Sequence, residues 1–118
     1  MRENGTFSIL AVSKDRKFMG VAVASGSTAV GSRVPHALPG KGVIATQAYT
    51  NVAYGIDGLK LLAKGLSPEE ILEKLLAEDP QREMRQVAIM DFAGRKTVFT
   101  GAEAPKWHGE IVGEDYIV

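Results

Sequence analysis

Cysteine is absent from all 118 residues, which excludes disulfides, thiolate catalysis and cysteine-ligated metal. Charge of one sign is absent too: Lys plus Arg and Asp plus Glu both total 14. Without a block of like charge there is no electrostatic footprint for nucleic acid, and no nucleic-acid partner is expected. Histidine is scarce, and neither His36 nor His108 has a second histidine or carboxylate at ligand spacing, so no metal is expected. Gly40-Lys41-Gly42 is no nucleotide loop, because Pro35 stands at the first required glycine and Gly42 at the Ser or Thr, and no cofactor is expected. No apolar run is long enough to span a bilayer, and polar Met1-Arg2-Glu3-Asn4 leads into none, so neither a signal peptide nor membrane association is expected and the cytoplasm is the default location. On that reading the Asn4-Gly5-Thr6 sequon is a chance match.

What is present suffices for one core. At 45% hydrophobic, residues 1–118 fit a single domain, with residues 1–5 as a polar N-terminal tail. Thr6–Val12 alternates as a strand, Ser13–Lys17 reads as a turn and Phe18–Ser25 as the returning strand of a hairpin. Met19-Gly20-Val21-Ala22-Val23-Ala24 is apolar on both faces, as in a strand covered on both sides. The Gly- and Pro-rich stretch 26–42 reads as a loop, with a short strand around Ala29 and Val30, and strand character returns over Val43–Tyr49.

Two helices follow. Ile56, Leu59, Leu62, Ala63 and Leu66 recur at helical spacing, with Gly65 at the left-handed closing position. Ser67-Pro68-Glu69-Glu70 predicts an N-cap, a first-turn proline and a capping box ahead of Ile71, Leu72, Leu75 and Leu76. Asp79-Pro80 ends that helix; Arg85–Phe92 and Lys96–Thr100 pair around Asp91–Gly94, and Ile111-Val112 with Tyr116–Val118 supply a last strand. The order predicts an α+β fold: stacked antiparallel sheets with two helices covering one face. The other outer face then needs a partner, either a second copy or a companion segment.

Thr6-Phe7-Ser8-Ile9, Gly20–Ser25, Ala29-Val30-Gly31, Val34-Pro35, Gly42–Ala48, Thr50-Asn51, Tyr54-Gly55, Gly58-Leu59 and Gly65–Glu70 together resemble a prokaryotic family of unknown function, number 1028, grouped with the N-terminal nucleophile (Ntn) hydrolases. The likeness continues through Arg85–Ala88 and Phe99–Glu103, and members of that family run beyond Val118. It implies an Ntn-hydrolase-like fold in which Thr6 is the nucleophile, with a small amide or acyl compound as substrate. Unlike proteasome subunits, the chain has Ser25 where an acid is expected, and Lys41 and Arg33 lie in the loop.

The residues themselves fit that chemistry. A Gly5-Thr6 junction at a strand start is where an Ntn enzyme cuts itself, and a freed α-amine, with reference pKa near 7.7–8.0, can be the base for its own hydroxyl. Ser25, Thr46 and Gln47 are candidates at the same sheet end, with Gln47 or loop amides as oxyanion donors; Asn51 and Tyr54 are candidate pocket residues. The plainer readings are a strand-initiating β-branched Thr6, a turn at Ser25–Thr28, aspartates 57, 79 and 91 in local turn bonds, and a Trp107 that seals a core edge or interface. Two functions stand against each other: an amide-bond hydrolase, or a non-catalytic oligomeric module that binds a small ligand or assembles. A piece of a split protein is a third.

Overall fold

Alternating apolar residues set the strands, and their parity sets the layers. The computed structural model describes residues 5–118; of the tail expected over residues 1–5, all but Gly5 lies outside them. Strands β1 (Thr6–Val12), β2 (Met19–Ser25) and β7 (Tyr116–Ile117) form one antiparallel sheet in the order β2-β1-β7. Strands β3 (Pro35–Leu38), β4 (Gly42–Ala48), β5 (Arg85–Asp91) and β6 (Lys96–Thr100) form a second, in the order β3-β4-β5-β6. Leu10, Val12 and Ile117 of the first sheet meet Val43, Ala45, Ala88 and Met90 of the second in a buried core between the layers. The intervening residues Ile44, Val87 and Ile89 point the other way and pack beneath α1 (Val52–Ala63) and α2 (Pro68–Ala77), against Tyr54, Leu62 and Ile71. The fold is therefore α+β, with two stacked antiparallel sheets and both helices on one outer face.

The helices start and stop as their residues dictate. Asn51 caps α1 by accepting from the Ala53 N–H at 3.1 Å. Gly65, at φ +87°, follows its end. Ser67 and Glu70 close both halves of the capping box on α2.

The segment 26–42 departs from the loop expected for it. Val30–Ser32 is a 3-10 turn entered through a left-handed Ala29 (φ 55°), so no strand forms at Ala29 and Val30. Pro35–Leu38 is a strand, although its flanking prolines read as breakers. It lies at the sheet edge, where the missing N–H of Pro35 costs no ladder bond. Smaller differences fall at boundaries: β2 begins at Met19, β4 spans Gly42–Ala48, β5 stops at Asp91, and Val112 reaches Ile117 only through an isolated bridge.

The three-stranded sheet has a bare side. Its register sets Phe7 opposite Ala24, Ile9 opposite Ala22, and Ala11 opposite Gly20 and Tyr116. These seven residues share the outer face, which carries no charge and, among the described residues, has no helix across it. Phe7 is 60% exposed there.

Candidate active site

The parity that buries Leu10, Ala45 and Ala88 also places Thr6, Ser8, Gln47, Gln86 and Thr100 on the inner faces, toward one end of the layers. Thr6 lies opposite Ser25 in the β1–β2 ladder, and their hydroxyl oxygens are 2.9 Å apart. The Ser25 oxygen also accepts from the Ser27 N–H at 3.0 Å. On the facing sheet Gln47, Gln86 and Thr100 stand directly opposite one another across β4, β5 and β6. Gln47 spans the two sheets: its carboxamide oxygen accepts from the Ser8 hydroxyl at 2.8 Å, while its nitrogen donates to the Thr6 carbonyl at 3.3 Å and to Gln86 at 2.7 Å.

Thr6 and Gln47 line a cavity of about 640 Å3 that opens between the sheets. Its floor is apolar, from Leu10, Ala45, Ala88, Val98 and Ile117, and the irregular segment 105–111 runs along its mouth. Trp107 in that segment is 85% exposed and seals no core edge of this chain, which leaves the interface as the other place expected for it. Its ring carries the Lys106 ammonium 5.6 Å from the centroid.

Before β1, the carbonyl of Gly5 accepts from the Gly26 N–H at 3.2 Å. The nitrogen of Thr6 is part of the peptide bond to Gly5. A free α-amine at Thr6 requires cleavage of that bond.

Of the sequence candidates, the structure brings Thr6, Ser25 and Gln47 together and sets Thr46, Asn51 and Tyr54 apart. Strand alternation turns Thr46 away from Gln47 toward the helices, where its hydroxyl makes one long contact, 3.4 Å, to the Asn51 carbonyl. Asn51 is occupied as the α1 cap. Tyr54 is buried and donates to Asp79, which also takes the Arg85 guanidinium at 2.9 Å and the Gln81 N–H at 2.9 Å. The Arg85 hydrogen bonds hold the Asp79 carboxyl well below the usual range, while burial and then Asp79 push the Tyr54 phenol up. Asp79 is thus a buried anion binding three elements, more than the local turn residue expected. Arg85 also donates to the Tyr49 carbonyl at 2.8 Å, bracing the turn after β4 where Ala48 holds a left-handed φ of 68°.

Reasoning from sequence missed Ser8, Gln86, Thr100 and Glu110. The signal for Gln86 was present: it shares the inner parity of Ala88 on a strand whose two faces are both covered. Among the described residues there is no group of three His, Asp or Glu placed to hold a metal ion, and no helix long and apolar enough to cross a membrane.

Comparison with known proteins places this architecture. Residues 6–118 match the model of a family of unknown function, DUF1028. The chain belongs to DUF1028. A crystal structure of protein SPO2555 from Silicibacter pomeroyi, described with the same family model, superposes with a TM-score of 0.89 at 34% identity. That match covers 95% of this DUF1028 chain and 52% of the relative, so the chain spans about half the relative's length. No curated protein matches it.

Proposed function

We propose that this chain carries the catalytic half of an Ntn-type amide-bond hydrolase with Thr6 as nucleophile. The observation that carries the reading is Thr6 on the cavity wall, its hydroxyl against that of Ser25 and its carbonyl held by the Gln47 amide. The first event is removal of residues 1–5. The Thr6 oxygen adds to the Gly5 carbonyl carbon, the C–N bond breaks to leave an ester and a free α-amine, and water hydrolyses the ester. The Gly26 N–H already bonded to the Gly5 carbonyl would stabilise the oxyanion of that step.

In turnover the free amine takes the Thr6 proton as the oxygen attacks the substrate carbonyl carbon. The substrate amine departs with a proton, and water releases the acid from the acyl-enzyme. Gln47 supplies a donor to the developing oxyanion, its 3.3 Å bond to the Thr6 carbonyl being the weak one it can exchange. The apolar floor suits a small amide with an apolar acyl group. Intact mass and N-terminal sequencing should find a chain beginning at Thr6, and Thr6→Ala should abolish both cleavage and turnover on a panel of acyl amides. Protein that keeps Gly5 and hydrolyses none of them overturns the reading.

The cavity also carries a second reading, in which it binds a small ligand between the sheets without chemistry. For the bare sheet face the occupant we favour is a helical companion segment. The opposite sheet is covered in that way, and the solved relative is nearly twice as long as its matched part. Light scattering on the 118-residue chain decides this: a dimer dispersed by Phe7→Lys replaces the companion with a second copy.

A further inference from the structure

We infer that Glu110, on the segment across the cavity mouth, is a positioning residue for the Thr6 centre, acting through a one-way chain of hydrogen bonds. The inference builds on the reading of Thr6 as nucleophile. The Thr100 hydroxyl lies 2.6 Å from the Glu110 carboxylate, which only accepts, so the hydroxyl must donate. The Thr100 oxygen therefore receives the Gln86 amide at 2.9 Å, and the other Gln86 hydrogen goes to the Gly109 carbonyl at 3.1 Å. The Gln86 oxygen is left to accept from Gln47 at 2.7 Å, and the Gln47 oxygen to accept from Ser8 at 2.8 Å.

Every bond in the row points toward the mouth segment, and neither amide can reverse without setting donor against donor or acceptor against acceptor. The consequence at the far end is that Gln47 presents its NH2, not its oxygen, beside Thr6. An oxyanion needs that orientation. With the carboxylate removed, Thr100 is free to turn its proton toward Gln86, and the direction of the chain rests on backbone carbonyls alone, that of Thr6 holding Gln47 through the long 3.3 Å bond. The Gly109 carbonyl is then the only acceptor on the segment that still favours it. Segment 109–110 thus couples the state of the cavity mouth to the donor at the nucleophile.

The test follows the side-chain amides of Gln47 and Gln86 by NMR in Glu110→Ala, Glu110→Gln, Thr100→Val and Thr100→Ser chains, with circular dichroism confirming that each is folded. Glu110→Ala and Thr100→Val should shift the Gln47 NH2 resonances and speed their hydrogen exchange by about fivefold or more, although neither residue touches Gln47. Glu110→Gln, whose oxygen still accepts, and Thr100→Ser, which keeps the hydroxyl, should restore most of the native signature. On a substrate turned over by the wild type, Glu110→Ala should lower kcat about tenfold or more with KM within about twofold. Unchanged Gln47 resonances in both disruptive variants overturn the proposal. The NMR arm decides it even if no amide is hydrolysed, an outcome that would count against the nucleophile alone.

Discussion

Removing the Asp79 carboxylate should destabilise the fold from a point outside the cavity. Asp79 and Arg85 are 7% and 12% exposed, and the carboxylate serves Arg85, the Tyr54 hydroxyl and the Gln81 N–H together. Breaking a buried pair from one side costs about 3–5 kcal/mol. Arg85 keeps acceptors at the Tyr49 carbonyl and Gln81 Oε1, and the pair lies close beneath the surface, so the loss expected for Asp79→Ala is about 2–3 kcal/mol. With a urea m-value of about 1.5 kcal/mol/M, the midpoint by circular dichroism should fall by roughly 1–2 M.

Asp79→Asn keeps a partner for Tyr54 but not the charge, and should lie between. The folded-state carboxyl is held below its unfolded value of about 3.9, so its contribution is complete above about pH 4–5 and is lost as pH falls through the folded value. Wild type and Asp79→Asn should therefore converge in stability on acidification. A drop below about 1 kcal/mol for Asp79→Ala, or a wild-type advantage that grows toward low pH, would refute the assignment of this ion pair.

Other substitutions check other features by the same unfolding measurement. Ser67→Ala, which opens the capping box of α2, should cost about 1 kcal/mol. Gly55→Ala should destabilise by about 1–3 kcal/mol despite the better helix former, because a methyl there overlaps the His36 ring and displaces it from the Arg33 carbonyl. Ala48→Gly should stabilise by about 0.5–1 kcal/mol, relief of a left-handed alanine outweighing the entropy of glycine.

Local signals in the sequence named most elements: the β1–β2 hairpin, both helix starts and the Gly65 stop all rest on residues a few positions apart. The strand at Pro35–Leu38 was hidden because proline reads as a breaker until the segment is known to lie at an edge. Half of the site was legible for a similar reason. Thr6 and Ser25 pair across one hairpin, which the turn between them announces. Gln47, Gln86 and Thr100 align only once β4, β5 and β6 take their register, and Glu110 joins them from a segment with no periodicity. Thr46 shows the opposite failure: its hydroxyl is one residue from Gln47 in sequence and on the other face in space.

The sole indole of the chain stands at the cavity mouth, exposed to water, with an ammonium over its ring. Its emission should report little when the fold melts, because it is already in water. It should instead change when a molecule enters between the sheets, giving the chain an intrinsic optical gauge of occupancy that needs no label and responds whatever the compound bound.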